Sequence, residues 1–245
     1  MARASQTEAR PADTAMMGVV HSALRRDLVR ARIVATSKQV ALPRRIALGK
    51  HLLWMMDVLH HHHESEDDGL YPLVVRNNPE AATLVAIMDA EHGAVGTVIA
   101  AVQAAAVDYR DQTTGSRERL LSALKTMDEV LVPHLAREET EMMPLVSSSI
   151  SDEEWMSWDI STNVKSKSPI QLGMEGHWLL DGADEKARTK LLGQVPAVPR
   201  FVVLHGFRPA YARKTRALWA GTVAADVPAL TLDNYDTWAR SNFLD

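Results

Sequence analysis

The chain repeats itself once, and the repeat is written in metal-binding side chains. His62-x-x-x-Glu66 is followed by Tyr71-Pro72, and seventy-two residues later His134-x-x-x-Glu138 is followed by Met143-Pro144. A lone histidine precedes each motif, His21 the first and His92 the second, 71 residues apart. Residues four apart share one face of an α-helix, separated by about one turn, roughly 5.4 Å. His62 and Glu66 can therefore point into one space, as can His134 and Glu138, if both segments are helical. The pattern reads as two copies of a helical hairpin, each supplying His, His and Glu to a shared centre. Imidazole nitrogen and carboxylate oxygen together suit iron, manganese or zinc. Two facing helices place the two carboxylates between two ions, each ion taking one lone histidine and one motif histidine.

The hydropathy pattern supplies the helices. Asp13 or Thr14 can cap a first helix running to about residue 41, where Pro43 stops it. Its apolar stripe carries Met17, His21, Leu24 and Leu28. A second runs from about 44 to 68, with Leu48, Met55, Leu59, His62 and Glu66 on one face and Gly69 and Pro72 ending it. Pro79 opens a third at a position that needs no N–H, carrying Val85, Met88, His92, Val95 and Ile99 to about 110. The fourth runs from 116 to about 146 with Leu120, Leu124, Met127, Leu131, His134 and Glu138, through Pro133. Short connections between long helices predict an up-down-up-down four-helix bundle over residues 13–148. Every candidate ligand falls on the apolar stripe of its helix. Residues 1–12 are polar and expected to be disordered. Residues 149–221 read as additional C-terminal helices, beginning at a Ser151–Glu154 capping box. Residues 222–245 read as an extended tail that Tyr235, Trp238 and Phe243 can anchor. The expected fold class is all-α.

Composition closes off other chemistry. Cysteine is absent, so thiolate metal sites, disulfides and thiol nucleophiles are excluded. A formal net charge of −4 gives no strong attraction to nucleic acid. No apolar run reaches the ~20 residues of a membrane span, and the N-terminal residues lack an apolar signal core. The expectation is a cytoplasmic protein with no nucleic-acid partner and no membrane span. Of the consecutive histidines His60 to His63, one or two can face inward. Ferritin-like bundles use Glu-x-x-His, a pairing this chain lacks.

On His21, His62-x-x-x-Glu66 with Tyr71-Pro72, Glu91-His92, and His134-x-x-x-Glu138-Glu139 with Pro144, the chain resembles the hemerythrin-like (HHE cation-binding) family. The resemblance implies a non-heme di-iron centre inside a four-helix bundle. His21 and His62 would bind one iron, and His92 and His134 the other. Glu66 and Glu138 would bridge them beside an oxo or hydroxo group. Oxygen-carrying members have a second histidine four residues after the position of His92, where this chain has Gly96. Water, His63 or a group from the C-terminal region would fill that vacancy. An open position favours redox chemistry with O2 or peroxide over reversible binding. The expected function is therefore a di-iron oxidoreductase, with a small organic substrate and an external electron donor as possible partners. The alternative is a non-catalytic O2, NO or iron carrier or sensor.

Overall fold

The apolar stripes form helices where their spacing requires, in a computed structural model that describes residues 10–194 and 206–243. α1 spans Ala15–Thr36, α2 Leu42–Ser65, α3 Tyr71–Asn77, α4 Ala82–Arg110, α5 Ser116–Arg137 and α6 Met143–Ser149. α2 packs on α4, α4 on α5, α5 on α1 and α1 on α2, which closes a four-helix bundle. The described residues contain no strand.

Proline and glycine act differently from their expected role as terminators. α1 ends at Thr36, not near residue 41, and Pro43 lies in the first turn of α2. A proline there loses no hydrogen bond, because the first N–H groups of a helix have no internal partner. The second helix does not end at Gly69 or Pro72. It passes through a π-turn at Glu66–Leu70 and continues as α3 to Asn77. The Tyr71 N–H bonds the carbonyl of Glu66, five residues back. That extra residue lets Pro72 begin a fresh α-helical register, where its missing N–H costs little. The second repeat does the same: a π-turn at Glu138–Met142 leads into α6, with Pro144 in its first turn.

α4 is preceded by a 3-10 turn at Pro79–Ala81, where the Asn78 side chain accepts the Glu80 N–H at 3.3 Å. Within the helix from Pro79 to Arg110 an 18-residue stretch has a mean hydropathy of 1.4, long and apolar enough by composition to cross a membrane. The sequence reading found no such run. Here the helix packs between α2 and α5 and delivers His92 to the bundle interior.

Two apolar clusters fill the bundle. One contains Leu24, Leu28, Met55, Leu59, Val95 and Leu131. The other contains Met17, Leu70, Tyr71, Met88, Met142 and Met143. Each candidate histidine falls in sequence between members of the two clusters. The polar residues thus form a layer with apolar packing on both sides.

The extension begins with α7 (Asp152–Asp159), and its expected capping box is present, with the Ser151 N–H donating to Glu154 at 2.9 Å. α8 (Pro169–Leu180), α9 (Glu185–Gln194), α10 (Arg208–Trp219) and α11 (Leu232–Phe243) follow. α7 places Trp155 and Trp158 in the second cluster, while Trp178, Leu218 and Trp219 join the first. The expected extended tail is helical over Leu232–Phe243. Tyr235 and Trp238, three residues apart, pack with Val29, Val227 and Leu230, a spacing that suits a helix. The side chain of Phe243 lies outside the described residues, as do residues 1–9, Pro196, Pro199 and His205. Residues 10–12, expected to be disordered, are tied down. Ala12 N–H donates to the Ile150 carbonyl at 3.2 Å, and Asp152 N–H to that of Arg10 at 2.9 Å.

Candidate metal centre

α1, α2, α4 and α5 each contribute a histidine to one buried layer, and the two π-turns begin at its glutamates. His21, His62, Glu66, His92, His134 and Glu138 are all buried. Of the four consecutive histidines, His62 and His63 face inward. His60 turns outward beside Glu64 at 3.2 Å, and His61 meets the Thr162 carbonyl at 3.3 Å.

The inward nitrogens converge on the two carboxylates. His21 Nε2 lies 3.3 Å from Glu138 Oε2 and 3.4 Å from His62 Nε2. His62 Nε2 lies 3.5 Å from Glu66 Oε1, and His92 Nε2 lies 3.7 Å from Glu66 Oε2. His134 Nε2 lies 3.8 Å from Glu138 Oε2. Each glutamate therefore stands between histidines of both repeats. Three overlapping donor sets could hold a metal ion: His21, His62 and Glu138; His62, His63 and Glu66; His63, His92 and His134.

These donors fit a cation on the state of their own atoms. Both oxygens of Glu66, Oε2 of Glu138, and Nε2 of His63, His92 and His134 are buried without a hydrogen-bond partner. Each such orphan costs about 1–3 kcal/mol, and here they share one space. Burial pushes His62 down to about 3, and also lowers His63 and His134. Those imidazoles are neutral at physiological pH, the form that binds metals. Burial, with Glu138 alongside, raises Glu66 well above the usual carboxylate range. A cation between the two carboxylates removes that penalty.

An outer set of carboxylates orients the ligands. His21 Nδ1 pairs with Glu139 at 2.9 Å, His92 Nδ1 with Asp67 at 2.7 Å, and His134 Nδ1 with Glu91 at 3.1 Å. Arg25 holds Glu139 at 2.7 Å, and Arg137 holds Glu91 at 2.8 Å. A carboxylate on Nδ1 fixes the tautomer and turns Nε2 inward. The pairing crosses the repeats: Asp67 follows Glu66 but serves His92, while Glu139 follows Glu138 but serves His21. Sequence reasoning did not assign this role to Asp67 or Glu139. The available signal was an acidic residue directly after each motif glutamate, again 72 residues apart.

The repeats are not equivalent. His63 corresponds to Leu135, Glu91 to Val20, and Tyr71 to Met143. The His63 ring stacks on His92 at 4.1 Å and meets His134 edge-on at 5.0 Å. A Cβ added at Gly96 would meet no atom within 4 Å, so a larger side chain there has room. The third imidazole of that half comes from α2 instead. Tyr71 donates to Glu138 Oε1 at 3.2 Å. His51 stands apart from this layer, bonded to Asp27 at 2.7 Å.

The family model described as the hemerythrin HHE cation binding domain matches residues 13–146, more than half of the 245-residue chain. No curated protein and no solved structure gives a significant match. The matched span runs from just ahead of α1 into α6 and takes in all of the converging histidines and glutamates. The chain thus belongs to the hemerythrin HHE cation-binding family, and its bundle is a metal-binding helical domain.

Proposed function

We propose that the layer holds two iron ions and that the protein activates O2 or peroxide as an oxidoreductase. The observation that carries this reading is the unequal donor count. His63, His92 and His134 cluster in one half, against His21 and His62 in the other, with Glu66 and Glu138 between them. The half with fewer protein donors leaves room for an exogenous ligand, as reactive metal sites do. When bound, an iron pair supplies ferrous–ferric redox chemistry. The chain's own groups do the rest. Asp67, Glu91 and Glu139 hold the imidazoles in register, and the Tyr71 hydroxyl steadies Glu138. Apolar packing on both sides limits the entry of water. No nucleotide or flavin fingerprint occurs in the sequence, so the reductant comes from a substrate or another protein.

The test is iron-loaded protein, reduced without air and mixed with excess peroxide or O2. Consumption of many equivalents per chain is the expected result. A spectrum that changes on oxygenation and returns on degassing, with no net consumption, makes the protein a carrier instead.

A further inference from the structure

α10 sets a lysine on the face of a tryptophan. The helix packs on α2 and α8, and Lys214 Nζ stands 3.8 Å from the centre of the Trp54 ring. The indole is held in place by His51, stacked on it at 5.5 Å, and by Trp178, edge-on at 5.3 Å. Trp54 and Lys214 are both half-buried, and Nζ still meets solvent.

An ammonium ion so placed needs a carboxylate, and among the described residues none pairs with it. The acidic group whose field reaches Lys214 is Asp27. That carboxylate is already taken by His51 at 2.7 Å, Arg26 at 2.8 Å, Trp178 at 2.9 Å and Arg30 at 3.3 Å. Tyr211, three residues back along α10, donates to Asp181 at 3.0 Å. The indole face returns only part of the hydration that burial removes. Burial therefore pushes the Lys214 ammonium down to about 8. The neutral amine is the nucleophilic form of lysine. Other lysines are kept charged by partners or by water. Lys125 lies 3.6 Å from Glu129 and Lys167 2.6 Å from Glu175, while Lys38, Lys50 and Lys165 are exposed.

We propose that Lys214 is an acylation site that takes its acyl group from a small acyl phosphate. The amine lone pair attacks the acyl carbon and a C–N bond forms. The C–O bond to phosphorus's oxygen breaks, its electron pair leaves with the phosphate, and the amine proton passes to solvent. Nothing is oxidised or reduced. Arg213 and Arg216, exposed on either side of Lys214 in the chain, attract the phosphate dianion. The product amide is uncharged, so the reaction removes a poorly hydrated cation from the Trp54 face. The site is separate from the histidine layer and does not depend on its metal.

The test is incubation of the full chain, as purified, with acetyl phosphate, with the occupancy of each lysine followed over time by peptide mass spectrometry. At neutral pH Lys214 should be acetylated at least about tenfold faster than Lys38, Lys50 and Lys165, because far more of it is neutral amine. Its rate should level off above about pH 8, while theirs still climbs towards about pH 10.4. Trp54→Gln, which lets water reach the ammonium, should slow Lys214 at least about threefold and leave the exposed lysines unchanged. The pH profile of the parent decides the matter if that variant does not fold. Acetylation of Lys214 no faster than that of the exposed lysines, a rate that climbs with theirs through pH 10, or an undiminished rate in folded Trp54→Gln would each overturn the proposal.

Discussion

His63 and Leu135 occupy the same place in the two repeats, yet only His63 lies against His92 and His134. Replacing His63 by Leu restores the symmetry and removes one imidazole. The expected effect is a loss of affinity for one of the two ions of at least about tenfold, read by competitive chelation, with the other retained. Equal affinity in parent and variant would show that His63 is not a ligand. Asp67 acts only through His92 Nδ1, at 2.7 Å. Asp67→Asn should leave the helical circular dichroism unchanged and weaken metal binding by about 10–100-fold. The residues that converge were legible from spacing alone, because His-x-x-x-Glu has one geometry on a helix. Asp67, Glu91 and Glu139 were not, because their partners lie on other helices and no local period reports a crossed contact.

The two π-turns are the elements that sequence reading lost. Gly69 and Pro72 look like a stop, and they sit inside an unbroken helical segment. Glycine at 69 has a packing cause: an added Cβ would stand 2.9 Å from the Trp158 ring, whose Nε1 donates to the Ser65 carbonyl at 2.9 Å. Gly69→Ala should therefore destabilise the protein by about 1–3 kcal/mol through overpacking, despite alanine's better helix propensity. Denaturant unfolding measures this, and a more stable variant would contradict the assigned contact. The long helices themselves were legible because their apolar stripes run unbroken. Their ends were not, because a proline just inside a new helix and one just beyond an old helix look alike in sequence.

At the scale of the molecule, the extension is welded to the bundle. Asp27 on α1 bonds His51 at 2.7 Å, Trp178 at 2.9 Å, Arg26 at 2.8 Å and Arg30 at 3.3 Å. Burial alone would raise Asp27, but Arg26, His51 and Arg30 hold it well below the usual carboxylate range. Burial depresses His51 despite its carboxylate partner. Both groups bind protons more readily in the unfolded chain, so their contribution to stability is present at neutral pH and is lost on acidification. Melting temperature should begin to fall as the pH drops below ~6.5 and fall further below ~4. Asp27→Ala leaves buried cations uncompensated and should cost about 3–5 kcal/mol at neutral pH, with a shallower loss in acid than the parent. Removing residues 151–245 should likewise lower the melting temperature sharply, because Trp178, Leu218 and Trp219 complete the bundle's own apolar cluster. An unchanged melting temperature would make the extension a separate unit. The capping box at Ser151 was legible in sequence; the docking of tryptophans onto helices more than a hundred residues away was not.

The central claim is that the buried histidine–glutamate layer holds metal. Elemental analysis of protein made without an affinity tag, beside a Glu66→Ala, Glu138→Ala variant, tests it most directly. The account predicts two metal ions per chain, iron among them, to match the overlapping donor sets, and their loss in the variant. A parent without metal, or a variant that keeps its full complement, would contradict it.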